Sequence, residues 1–265
     1  MAKFDVNNFV IDHVLRGVMT STADGSMMWS INQITEPSLA VTTESAEAVD
    51  ALGSQIASFD RAKNAEFSAN NSLFDLGLYA AQNGTAKEIA GENVETIVTP
   101  AFETIEVTTA TTVDLKHTPK AQIKEIYGLK GDGTLGVKYS ADTTASGTTF
   151  VHTEGSTKIT IPTGLAKGSQ LFVMYEYEAE AAVAVNGDAV NFPRAGKFVM
   201  EVLGTDVCDP TTLIHAYIVF PNAKLDGNVD VSFTTDGNHP FTIKAQQAYC
   251  DSKKKLFSII VPEEV

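Results

Sequence analysis

Gly131-Asp132-Gly133-Thr134-Leu135-Gly136 matches the Gly-x-Gly-x-x-Gly fingerprint of dinucleotide binding and follows the strand-like Ile126-Tyr127. That fingerprint works only where a helix comes next, because the pyrophosphate rests on the helix N-terminus. Here Val137-Lys138-Tyr139-Ser140 continues as a strand pattern, so the glycines are read as a hairpin turn. The five histidines, His13, His117, His152, His215 and His239, are dispersed, and no His-Glu-x-x-His pair is present to hold zinc. Cys208 and Cys250 show neither Cys-x-x-Cys spacing nor a disulfide framework and are read as reduced thiols. There is no Gly-x-Ser-x-Gly elbow and no Walker loop, and Asp226-Gly227-Asn228-Val229-Asp230 departs from the calcium loop, whose acidic ligands precede the glycine. The many carboxylates carry no spacing that would separate a general acid and base from solvated charge. The expectation is a protein without catalytic residues, cofactor-binding residues or metal ligands, and not an enzyme.

With 265 residues and 43% hydrophobic content, the chain can bury the core of one large or two modest domains. Its net charge of −14 argues against a surface that grips nucleic acid by neutralising phosphates. A channel wall that must let DNA slide without adsorbing is better acidic than basic, and plain solubility is served as well. No stretch approaches the roughly 18–20 apolar residues that a bilayer span requires, so no membrane partner is expected. The opening Met1-Ala2-Lys3-Phe4-Asp5-Val6-Asn7-Asn8 has no long apolar core and no small-residue cleavage site. That start predicts a protein made and kept in a cytoplasm.

Residues 9–34 read as a hairpin turning at Asp24-Gly25, which supplies positive φ. Residues 38–49 and 54–67 read as two long antiparallel strands around Asp50-Ala51-Leu52-Gly53, rich in Thr, Ser, Ala and Glu. Their apolar stripe is weak, with Leu39, Val41 and Val49 on one parity, so these strands are expected to pair with neighbouring subunits or to face water. A helix is expected over 72–82, capped by Asn70 or Asn71, stopped by Asn83-Gly84, and apolar along Leu73, Leu76, Tyr79 and Ala80. From Thr96 onward Val, Ile, Thr, Tyr and Phe alternate with turns, including Lys130-Gly131-Asp132-Gly133, Asn186-Gly187 and Asp236-Gly237. The fold class expected is mainly β, a sandwich or barrel with one flanking helix. Turn placement suggests that 113–184 is an inserted β-sandwich of immunoglobulin-like kind, within a domain made of 1–112 and 185–265.

Several segments together resemble bacteriophage tail-tube or major tail subunits. They are Ile34-Thr35-Glu36-Pro37-Ser38-Leu39 leading to Val49-Asp50-Ala51-Leu52-Gly53, Phe59-Asp60-Arg61-Ala62-Lys63-Asn64-Ala65-Glu66-Phe67, and Ser72-Leu73-Phe74-Asp75-Leu76-Gly77-Leu78. In the C-terminal part they are Phe220-Pro221-Asn222-Ala223, Thr234-Thr235-Asp236-Gly237-Asn238-His239-Pro240-Phe241 and Leu256-Phe257-Ser258-Ile259-Ile260-Val261-Pro262-Glu263. The likeness is one of element arrangement over about two thirds of the chain, and it does not call for 113–184. It implies a tail-tube-like β-sandwich or barrel whose long hairpin joins those of its neighbours in a ring, usually a hexamer. Stacked rings then form a tube that the genome crosses. The implied partners are the chain itself, other phage tail proteins and DNA in transient, non-specific passage, in a virion tail assembled in the host cytoplasm. Met27, Met28, Trp29, Leu39, Val41, Val49, Ile56 and Phe59 are the expected subunit-interface residues, with Trp29 also open to reading as a core residue. A capsid decoration or head-completion protein is the alternative, followed by a β-rich adhesin or carbohydrate-binding module.

Overall fold

The computed structural model describes residues 8–109, 111–207, 209–235, 238–247 and 254–263. Cys208, Cys250 and the Asp236-Gly237 turn lie outside the described residues. The chain divides into two compact units, Met1–Lys87 with Val185–Val265, and Glu88–Ala184.

The first unit opens with β1 (Phe9–Thr20) and β2 (Met27–Ile31). Between them Gly25 takes a φ of 73° and donates its amide to Ser21 O at 3.0 Å, which is the expected Asp-Gly hairpin. β3 (Ile34–Val49) and β4 (Gln55–Asn71) form a second, longer hairpin. Its turn is tied by Asp50, whose carboxylate accepts from Leu52 N and Ser54 N, both at 2.8 Å. α1 (Leu76–Gln82) follows. After β5 (Glu88–Ile89) to β13 (Val183–Ala184), which lie in the second unit, the chain returns as β14 (Ala195–Asp206), β15 (Asp209–Leu225), β16 (His239–Ala245) and β17 (Ser258–Ile260).

These strands form one sheet in the order β2-β1-β14-β15-β16-β4-β3, with β17 also on β15. Laid flat, seven strands would separate β2 from β3 by about 29 Å, at roughly 4.8 Å per strand pair. Only Asn32 and Gln33 connect them, a reach of about 11 Å. The sheet must therefore curl until its two edges approach, and the side chains on its inner face become the core. Phe67, Phe198, Phe220, Phe241, Trp29, Met19, Leu225 and Ile243 fill it. The rings pack tilted or edge-on, Phe198 lying 6.0 Å from both Phe67 and Phe220.

The helix differs from expectation at its start. Asn70 and Asn71 are the last residues of β4, opposite Pro240 and His239, and are not caps. The cap is Asp75, whose Oδ1 accepts from Leu78 N at 2.7 Å. With the first turn moved downstream, Leu78, Ala80 and Gln82 are buried, while Leu73 and Leu76 stay exposed. The stop at Asn83-Gly84 is as expected, Gly84 taking φ 70°.

The second unit contains β6 (Ile97–Glu106), β7 (Thr112–Asp114), β8 (Glu125–Leu129), β9 (Leu135–Ala141), β10 (Thr149–His152), β11 (Lys158–Thr160) and β12 (Gln170–Ala179). They make a sheet in the order β6-β12-β8-β9-β10-β11-β7 around Ile126, Phe150, Ile159, Leu171 and Val173. β9 and β10 pair in parallel, the other neighbours antiparallel. The units part at 87/88 and 184/185 rather than at 112/113, because β6 pairs with β12 along its whole length, from Ile97↔Ala179 to Glu106↔Gln170. β5 and β13, where the chain enters and leaves this unit, pair with each other. The architecture is mainly β with one helix among the described residues.

Candidate functional site

The β3–β4 hairpin is where the chain departs from an ordinary subunit surface. Near its base, β4 alternates strictly, Ala65, Phe67, Ala69 and Asn71 facing in, because β16 pairs with it from Glu66↔Lys244 to Asn71↔His239. Beyond Glu66 no third strand is present among the described residues, and the ribbon continues as two strands from Thr42↔Asn64 to Val49↔Gln55. Eight residues of strand give this arm a length of about 27 Å. Ala40–Ser45 and Ser58–Asn64 are exposed throughout. Near the tip four large apolar side chains stand in solvent, Val49 at 55%, Leu52 at 92%, Ile56 at 69% and Phe59 at 58%.

The arm leaves the body through a bulge. Register shifts by one residue between Thr35 and Ser38, where Glu36 takes φ 52° ahead of Pro37. Asn70 Nδ2 donates to Glu36 Oε2 at 2.7 Å and holds that geometry. A non-glycine residue there stores about 1–2 kcal/mol of backbone strain, and a bulge bends and twists the strand that carries it. From 34 to 71 the hairpin carries Glu36, Glu44, Glu47, Asp50, Asp60 and Glu66 against Arg61 and Lys63, so it is acidic like the chain as a whole.

The expected interface residues separate in the structure. Val41, Val49, Ile56 and Phe59 lie exposed on the arm, and Leu39 is half-buried at its base, packed against the core. Met27 is exposed and Met28 half-buried. Trp29 is only 5% exposed, its ring centroid 5.6 Å from Phe198 and 6.3 Å from Phe241, so it belongs to the core of its own subunit. Leu52 was not among the expected residues, although its place at the tip of an Asp-Gly-type turn signals exposure.

Histidines serve as internal braces. His239 is fully buried: its Nδ1 accepts from Asp75 N at 3.3 Å and its Nε2 reaches Gln82 Oε1 at 2.7 Å, so the neutral ring carries its proton on Nε2. One imidazole thus grips both ends of α1. Burial pushes its pKa below 6.5, against the opposing pull of the Asp75 carboxylate. His152 is buried too, accepting from Ile123 N at 3.1 Å and reaching Ser156 O at 2.9 Å, and it borders a cleft of about 660 Å³ with Lys124, Asp142 and Glu154. With both ring nitrogens engaged, it has none left for a substrate. In the second unit the buried Glu103 accepts from Lys116 N at 3.0 Å and from the Tyr175 hydroxyl, and burial with that bond pushes Tyr175 up to about 12. Among the described residues no group of three or more His, Cys, Asp or Glu could hold a metal ion. The Gly131–Gly136 segment is the expected hairpin, Gly133 N donating to Lys130 O at 2.9 Å.

A two-stranded acidic arm with apolar side chains at its tip is suited to joining chains. The family model of the YomU/Tube proteins matches residues 9–256, which takes in both units. The chain belongs to the YomU/Tube protein family. It is thereby a phage tail tube structural protein, a component of the virion tail, and that family is one of structural tube proteins rather than enzymes. A search among curated proteins returns no match for the chain. No helix among the described residues is long and apolar enough to cross a membrane.

Proposed function

We propose that this YomU/Tube protein assembles with copies of itself into rings, hexameric as in the tail-tube subunits it resembles, and that the rings stack into the conduit for the phage genome. The observation that carries this reading is the arm, exposed on both faces and ending in Val49, Leu52, Ile56 and Phe59. A lone two-stranded hairpin is marginally stable in water, and free strand edges are templates for another chain. A repeated heterologous contact closes a ring when its rotation closes, and stacking extends the ring into a tube. The acidic balance supports transient passage of DNA, since a like-charged wall does not adsorb phosphates. Assembly takes place in the host cytoplasm, with other tail proteins as further partners. The 88–184 unit is an insertion with its own core, and expressing it alone and finding a cooperative unfolding transition would establish it as a domain.

The test is electron microscopy of the purified chain over a range of concentrations, beside Ile56→Asp/Phe59→Asp. Rings or tubes with an open channel, formed by the wild type and lost in the folded double variant, support the reading. Monomers or trimers at every concentration refute it.

A further inference from the structure

The chain contains two Asn-Gly steps, Asn83-Gly84 and Asn186-Gly187, and the structure places them in opposite circumstances. Asn-Gly is the dipeptide most prone to self-modification, because glycine lacks the Cβ that hinders its own amide from reaching the preceding side chain.

Asn83 is held. Its Nδ2 donates to Tyr79 O at 2.8 Å, its backbone N–H ends α1, and the Gly84 amide donates to Ala81 O at 3.1 Å. Gly84 is also packed against the Phe192 backbone. Described Asp-Gly steps are held likewise. Asp24 accepts from Ser26 N and Oγ, and Asp132 from Thr134 N and Oγ, while Gly25 and Gly133 donate within their turns. Asp226 is engaged by Lys244 and by Asn228.

Asn186 and Gly187 are both exposed, outside any strand or helix, two residues beyond the end of β13. Gly187 lies beside the Asn83 side chain, where a Cβ would come 3.3 Å from Asn83 Oδ1. Among the described residues neither the Asn186 carboxamide nor the Gly187 amide has a hydrogen-bond partner, so no hydrogen bond holds nucleophile and electrophile apart. The turn just after them is fixed, since Asp188 accepts from Val190 N at 2.9 Å and Asn191 N at 2.7 Å.

We propose that Asn186 is a site of spontaneous deamidation in the native protein. The Gly187 amide nitrogen attacks the Asn186 side-chain carbonyl carbon. A C–N bond forms to close the succinimide, the bond to Nδ2 breaks, and ammonia leaves carrying the amide proton. Water then opens the imide at either carbonyl, yielding aspartate or isoaspartate. The net change is water in and ammonia out. Each event adds one negative charge to a chain already at −14, and the isoaspartyl product lengthens the backbone where the chain leaves the second unit.

The full-length protein is held at mildly alkaline pH and sampled over days by peptide mapping, with electron-transfer fragmentation to distinguish isoaspartate. Asn186 should convert at least about tenfold faster than Asn83, the equivalent of about 1.4 kcal/mol of local opening at the helix end. The two should converge in the urea-unfolded chain, and Asn186→Gln should remove the acidic isoform seen on ion exchange. Equal rates at the two sites in the folded protein, or an intact Asn186 while Asn83 converts, overturn the proposal.

Discussion

Replacing Trp29 with Ala separates a core role from a joint between subunits, because the two demand opposite outcomes. The indole is 5% exposed and wedged against Phe198 and Phe241. An aromatic side chain of this kind buries about 150–250 Å². At about 25 cal/mol per Å² its removal forfeits about 4–6 kcal/mol, in line with the 3–5 kcal/mol typical of large aromatic-to-Ala changes in cores. A domain holds only about 5–15 kcal/mol in total, so about 4 kcal/mol is a large share of it. With a urea m-value of about 2 kcal/mol/M, the midpoint of the first unit should fall by about 2 M. The assay is urea unfolding followed by circular dichroism at a concentration below assembly, since the substitution removes the chain's one tryptophan. Phe59→Ser is the partner measurement. Phe59 is 58% exposed, so its substitution should change the unfolding free energy by no more than about 0.5 kcal/mol while abolishing rings and tubes. A Trp29→Ala subunit that loses less than about 1 kcal/mol yet no longer assembles would refute the core assignment.

Acid should weaken the first unit through His239. Its folded pKa lies below the unfolded 6.5, so its contribution is intact above pH 6.5 and is lost as pH falls through the folded value. His239→Phe should flatten that part of the stability profile, at a cost of about 1–3 kcal/mol for each orphaned partner on α1, read from denaturation at a series of pH values. Deleting Glu36 leaves Ser38 opposite Ser68 and the arm's faces unchanged but removes the bulge, so the subunit should fold with its strain relieved by about 1 kcal/mol and assemble poorly or with altered ring geometry under the microscope. Gly84→Ala should cost about 2 kcal/mol or more in thermal unfolding, because a Cβ at φ 70° would lie 2.3 Å from the Phe192 backbone. Trypsin should cut the isolated subunit at Arg61 and Lys63 and spare them in tubes, which mass spectrometry of the fragments decides.

The hairpins were legible in the sequence because each carries its own punctuation. Asp24-Gly25, Asp50 to Gly53 and Gly131 to Gly133 encode turns by local chemistry, and the strands on either side follow. The α1 start was misread because Asn70 and Asn71 are cap-type residues placed in a strand; pairing with β16 outweighed their local preference, and Asp75 was the better cap. The boundary of the second unit was hidden for a different reason. β6 belongs with β12, more than sixty residues later by sequence, and no local signal announces a partner at that distance. In the sequence the arm shows only as a deficiency, a long pair of strands without an apolar stripe. In the structure that deficiency begins at Glu66, where β16 ends its pairing.

That point matters for how subunit and tube differ energetically. Fixing a residue's backbone costs about 1–2 kcal/mol, whereas a cross-strand pair returns about 0.2–1 kcal/mol, so two strands alone do not offset their own ordering. From the base to Glu66 the deficit is met by β16 and by the packing of Phe67 on Phe198 and Phe241. Beyond it most pairs, among them Thr42↔Asn64, Thr43↔Lys63, Glu44↔Ala62, Ser45↔Asp60, Glu47↔Ser58 and Ala48↔Ala57, join small, polar or charged residues that bury little against one another, and Phe59 faces only Ala46. The apolar area the arm does possess is held outward, in Leu52, Ile56 and Phe59, where it gains nothing until a second chain covers it. A sequence that kept those side chains inward would make a steadier monomer and a poorer joint. Placing them outward on a strand pair that cannot stabilise itself makes the ordering of the arm and the contact with a neighbour one transition, so under the tube reading the affinity between subunits is the surplus left after the arm is ordered.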